Sequence, residues 1–216
     1  MPARVPRPPD FSVRKPRMFV WRSDTLLYRV FDTHRAPHAF NPGTTPPEIK
    51  TRFAFFSGRD GRTVGVAYGA ESVEAAISET VFHDVPLRRG PRQVVLSRLS
   101  PLALVALRPR RDLLLVELLG SGLTRLGVRA DQLTATGPNV YARTVEWARA
   151  LHAAVPAADG LVWMSCRFNV AKALVLFANR VSSSDLAVDG EVHPLVSGEG
   201  RRLVNEAADR ADIDLV

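Results

Sequence analysis

The chain has 216 residues, 46% of them hydrophobic, and a net charge of +7. That suffices for one good-sized core and favours one domain over two. Its single cysteine, Cys166, excludes an intrachain disulfide framework, and no apolar run approaches the roughly 20 residues of a membrane span.

Residues 1–20 are rich in proline and arginine, lack an apolar signal core, and read as a flexible arm. The remainder, 21–216, reads as one cytoplasmic domain. Leu26 to Phe31 is a first strand, followed by a loop with Pro37, Asn41-Pro42-Gly43 and Pro46-Pro47. Arg52 to Phe56 reads as a short aromatic strand and Val64 to Tyr68 as another. Ser72 is a candidate N-cap for a helix over Val73 to Asp84, stopped near Pro86. Strands are expected at Val94–Leu99 and Leu102–Leu107. Leu113–Leu119 fits strand or helix, and Gly120-Ser121-Gly122 breaks it. Val140, Thr144, Trp147, Ala148 and Leu151 fall on one face of the clearest helix, Asn139 to Val155. Leu161–Met164 and Leu174–Phe177 are buried strands. Leu186–Val188 and Glu191–His193 suggest a hairpin about Asp189-Gly190. A helix over Ser197–Asp209 and a strand over Ile213–Val216 complete the chain.

Among the 29 basic residues only Lys15, Lys50 and Lys172 are lysines. Arginine forks suit phosphate and carboxylate, so the basic surface predicts an anionic partner, although genome composition alone can produce such a ratio. Three polar islands interrupt the apolar elements: Leu27-Tyr28-Arg29-Val30, Tyr68-Gly69-Ala70 followed by Glu79, and Trp163-Met164-Ser165-Cys166-Arg167. Strand alternation puts Arg29 between Leu27 and Phe31, where it needs a carboxylate, a phosphate or solvent at a sheet edge. Glu79 lies off the stripe of Val73, Ala76, Ile77 and Val81, so it either lines a cleft or is simply solvated; His83, one turn on, is within pairing reach. Ser165 ends a strand, ordinarily the place of a turn or cap residue, and no Gly-x-Ser-x-Gly surrounds it. Tyr68 by itself is a core aromatic with a wet hydroxyl.

Other chemistries lack their signatures. No phosphate-binding or dinucleotide glycine motif occurs. His34 and His38 have metal-like spacing but no second ligand pair, so no metal site is expected. The basic arm lacks interleaved aromatics, so direct nucleic-acid binding is not expected. Arg108, Arg110 and Arg111 read as a solvated cluster.

Taken together, the islands resemble the RES-domain family, named after its Arg, Glu and Ser. Leu27-Tyr28-Arg29-Val30 is similar to the family's opening strand. Phe40-Asn41-Pro42 and Thr51-Arg52-Phe53 resemble its next segment, with Thr51 in place of the usual glycine. Val66 to Ser72 followed by Ala75 to Glu79 resembles its strand-to-helix unit, and Asp159 to Ser165 followed by Leu174 to Phe177 its serine segment. The resemblance implies an α+β fold with a mixed, bent β core and flanking helices, like diphtheria-toxin-type ADP-ribosyltransferases. It implies a toxin of a type II toxin–antitoxin system, paired with an Xre-type helix-turn-helix antitoxin. The substrate would be NAD+, cleaved at the nicotinamide–ribose bond with water or phosphate as acceptor. Glu79, Arg29 and Ser165 would be catalytic, and Tyr28, Arg52 and Tyr68 would bind substrate. Transfer of ADP-ribose to a protein, and a non-catalytic basic binding module, stay open beside this reading.

Overall fold

The computed structural model describes residues 4–85 and 92–216. In chain order, β1 (Met18–Trp21) and β2 (Leu27–Asp32) precede a long connection to β3 (Val66–Ala70) and α1 (Val73–Thr80). Next come β4 (Gln93–Val94), a 3-10 turn at Leu96–Leu99, β5 (Leu102–Pro109) and β6 (Leu113–Leu118). α2 (Gly120–Leu126), α3 (Ala130–Leu133) and α4 (Tyr141–Ala154) lead to β7 (Gly160–Met164) and β8 (Lys172–Phe177). β9 (Leu186–Pro194), α5 (Gly198–Arg210) and β10 (Asp214–Leu215) end the chain. Eight strands make one sheet in the order β1-β6-β7-β8-β3-β2-β5-β9, while β10 pairs with β4 alone. Only β6 and β7 run parallel within the large sheet, because α2, α3 and α4 form their crossover. The architecture is the expected α+β type, a curled, mostly antiparallel sheet with flanking helices.

Period-two alternation sorts the side chains into two faces. Leu27 and Phe31 of β2, Val105 and Leu107 of β5, Leu113 and Leu115 of β6, Val162 of β7, and Leu174 and Leu176 of β8 share one buried cluster. Strands from both halves of the sheet meet there, so this inner face is closed by curling and needs no helix. The outer face is covered twice. Phe53 to Phe56, α2 and α4 pack over β3, β7 and β8. α1 and α5 pack over β2 and β5. The seam between these two outer clusters holds the polar residues described below.

Several elements differ from expectation. The segment before β1 is docked: Val5 is buried in the α4-side cluster, Trp147 Nε1 donates to Pro6 O at 2.8 Å, and Phe11 meets Trp147 edge-on at 6.1 Å. Single apolar anchors among prolines and arginines are enough to hold it. The run 52–56 makes only an isolated bridge between Thr51 and Ala54, because its aromatics are spent on packing under α4. Leu96–Leu99 form a 3-10 turn that buries Leu99 rather than extending β4. Asp189-Gly190 does not reverse the chain. β9 continues along β5, with a register shift opposite Leu104 to Ala106 and Gly190 at φ +81°. A bulge and a tight turn both ask for a residue at positive φ, so they give the same local signal. α1 ends at Thr80, four residues early, and its expected stop at Pro86 lies outside the described residues. Arg108 and Arg111 are tied down rather than merely solvated; Arg111 grips Asp159 through two bonds of 2.7 and 2.8 Å.

Candidate active site

Ser72 caps α1, its Oγ accepting from Ala75 N at 3.2 Å. Ala75 to Ser78 are buried, which fixes the helix and brings Glu79 to the seam in the last turn. The Glu79 side chain is 14% exposed. Its Oε1 accepts from Ser165 Oγ at 2.7 Å and from the Cys166 backbone N–H at 2.8 Å. Its Oε2 lies 3.8 Å from Arg52 Nη1. Ser165 sits where β7 ends and is buried. Its backbone N–H donates to Ala171 O, and its Oγ accepts from Phe168 N at 3.0 Å. The hydroxyl's only proton therefore points at the Glu79 carboxylate, while its oxygen is engaged by the Phe168 N–H. Ser165 thereby holds one oxygen of the Glu79 carboxylate in place.

Arg52 is buried at 5% exposure; its Nη2 donates to Thr136 O at 3.0 Å, and its Nε has no hydrogen-bond partner. Its guanidinium carbon stands 5.9 Å from the centre of the Tyr141 ring. The Arg52 carbonyl accepts from Thr144 Oγ1, which pins this residue to α4. Tyr68 shares a 2.7 Å hydrogen bond with Thr51 Oγ1 and lies edge-on to Trp163 at 6.3 Å. Burial pushes the Tyr68 phenol up to about 12, so it stays neutral. The Tyr141 hydroxyl is 2.7 Å from His83 Nε2, and His83 Nδ1 is 2.9 Å from Asp84 Oδ1. Burial raises the Tyr141 phenol as well. Arg167, on the loop that follows Ser165, donates to the His83 carbonyl.

The structure thus gathers Glu79, Ser165, Arg52 and Tyr68 on the outer face. Tyr28 points to the same face and packs against the α1–α5 cluster. Arg29 does not join them. Its neighbours in alternation, Leu27 and Phe31, belong to the inner cluster, so Arg29 points inward. It is 7% exposed, and its Nη1 donates to Pro37 O at 3.0 Å and Ala39 O at 2.7 Å. No carboxylate of the described residues lies within ion-pair distance. Desolvation lowers its pKa to about 10, which leaves it charged at neutral pH. In this position Arg29 pins the loop after β2.

His83 pairs with Tyr141 instead of Glu79. Tyr141 is the residue that sequence reasoning passed over. Its spacing to Thr144, Ala148 and Leu151 put it on the buried stripe of α4, which was the available signal. The Cys166 N–H had no signal, since a backbone donor is set by loop geometry. No group of three or more His, Cys, Asp or Glu placed to hold a metal ion occurs among the described residues. None of the described helices is long and apolar enough to cross a membrane.

The model of the RES domain family matches residues 26–195. The chain belongs to the RES-domain family. The matched span runs from the residue before β2 to just past β9 and contains Arg29, Glu79 and Ser165. In fold, this RES domain is similar to one chain of the crystal structure of the M. tuberculosis MbcT–MbcA toxin–antitoxin complex. The TM-score is 0.59 over 89% of this chain and 92% of that one, at 15% identity. No curated protein matches this RES domain.

Proposed function

We propose that this RES domain is the toxin of a toxin–antitoxin pair and that it cleaves the nicotinamide–ribose bond of NAD+. The observation that carries the reading is the Glu79 carboxylate, largely buried and held at one oxygen by Ser165 Oγ and Cys166 N. Cleavage of that bond builds positive, oxocarbenium-like charge on the ribose while nicotinamide leaves neutral. A fixed carboxylate about 4 Å from such charge, at an effective dielectric near 20, is worth about 4 kcal/mol, or roughly a thousandfold in rate. Because Oε1 is filled, Oε2 is the oxygen left for a ribose hydroxyl and for the developing charge.

Arg52 sets a positive charge 3.8 Å from Glu79 Oε2, beside the space this reading gives to the substrate. Tyr28 and Tyr68 supply aromatic walls on the same face. The antitoxin, in this reading a helix-turn-helix protein, covers the seam. The RES-family match and the fold likeness to a chain of a toxin–antitoxin complex support an antitoxin as the partner.

The test is NAD+ loss by the purified chain, followed by NMR with and without added phosphate. Free ADP-ribose marks water as acceptor, and an ADP-ribose phosphate marks phosphate. A labelled macromolecule from labelled NAD+ marks protein transfer instead. No product of any kind, with salt-sensitive nucleic-acid binding, marks a binding module and rejects the reading.

A further inference from the structure

Hydrolysis needs a group that the Glu79 cluster does not supply. Water must lose a proton as its oxygen bonds to the ribose C1′, whereas hydrogen phosphate need not. Glu79 is poorly placed to take that proton, with Oε1 filled and Oε2 beside Arg52.

A second chain of groups reaches the same seam from α4. Tyr141 lies beneath the Arg52 guanidinium, its hydroxyl on His83 Nε2, and His83 Nδ1 on Asp84. An ionised aspartate only accepts, so His83 Nδ1 donates to Asp84; in the neutral ring Nε2 then carries the lone pair, and Tyr141 donates to it. The Tyr141 oxygen keeps lone pairs for a water. His83 is 24% exposed on its side chain and Asp84 58%, which opens the far end of the chain to solvent. Arg98, 3.6 Å from Asp84, and Arg167, on the His83 carbonyl, are the other described charges against this chain, with Arg52 and Glu79 behind Tyr141.

Resting on the NAD+ reading, we propose that Tyr141, backed by His83 and Asp84, takes the proton of the attacking water, and that water is the acceptor. The C1′–N bond breaks with its electron pair going to nicotinamide. The water oxygen bonds to C1′. The water proton passes to the Tyr141 oxygen as the phenolic proton passes to His83 Nε2, and the imidazolium, held by Asp84, releases it to solvent.

The experiment compares wild type, Tyr141→Phe and His83→Gln in NAD+ turnover, with water alone and with phosphate or azide, anionic acceptors that need no base. Tyr141→Phe is expected to lose on the order of 100-fold in ADP-ribose formation. Its reaction with azide or phosphate should stay within a few fold of wild type, so the product ratio shifts toward the anionic acceptor. His83→Gln should shift that ratio in the same direction by less. Equal loss of both products assigns Tyr141 to packing and overturns the relay, as does unchanged hydrolysis in Tyr141→Phe. Wild type that uses phosphate but not water overturns the relay and leaves the NAD+ reading standing. Wild type that consumes no NAD+ removes both.

Discussion

Replacing Ser165 by alanine isolates the orienting bond from the carboxylate itself. The hydroxyl donates to Glu79 Oε1 at 2.7 Å in a site from which water is excluded, Ser165 being 1% exposed. A charge-assisted hydrogen bond of this kind is worth about 1.5–3 kcal/mol. Its loss should lower kcat for NAD+ cleavage roughly 10- to 150-fold. Glu79 keeps the Cys166 N–H, so turnover should remain well above that of Glu79→Ala. KM should change little, because the bond acts on the carboxylate and not on the substrate. The same change orphans the Phe168 N–H, a cost of about 1–3 kcal/mol, or roughly 2–10 °C in Tm for a chain of this size. Steady-state kinetics and a melting curve on one preparation read both effects. A Ser165→Ala protein that melts normally and is as inactive as Glu79→Ala would put Ser165 at the reacting atoms and refute the orienting role. A fully active one would refute it from the other side.

Arg29→Ala should strip the donor from Pro37 O and Ala39 O and lower stability by about 2–5 kcal/mol, read as a fall in Tm, with turnover per folded molecule kept. A normal Tm with a raised KM for NAD+ would instead place Arg29 on the substrate. Gly160→Ala should fold poorly or not at all, since its Cβ would lie 2.0 Å from Val175 O across the β7–β8 ladder; circular dichroism on the expressed variant checks it. Burial holds the His152 pKa below its ordinary value, so the unfolded chain takes up a proton that the folded chain refuses. Stability from this group is complete above about pH 6.5 and is lost as pH falls below it. The Tm should therefore drop between about pH 7.5 and 5.5, and drop less in His152→Gln, as calorimetry would show.

The sequence carried the strands best where apolar alternation and burial coincide. β2, β5, β7 and β8 lie within one to two residues of their expected places, because each has one face in the inner cluster. Ser72 was legible because a cap is a local property, whereas the helical stripe left Glu79 either lining a cleft or solvated. Arg29 shows the limit of that logic. Alternation put it on the face of Leu27 and Phe31, and the same rule places Tyr28 on the other, yet only the curl of the sheet decides which face meets Glu79. The 52–56 run and the Asp189-Gly190 pair failed for a related reason. Local sequence gives the preference for extended or positive-φ backbone, while the partner that uses it, the underside of α4 or the edge of β5, comes from distant chain. Ser165 on Glu79 spans 86 residues and has no local trace.

The most direct measurement is NAD+ consumption by wild type and Glu79→Gln, each with a melting curve. Glutamine keeps the size of the side chain and an acceptor for Ser165 Oγ and Cys166 N, but removes the charge. The account predicts steady NAD+ loss with release of nicotinamide by wild type, and a loss of roughly a thousandfold in the variant at near-native Tm. Wild-type turnover that survives Glu79→Gln unchanged would contradict it.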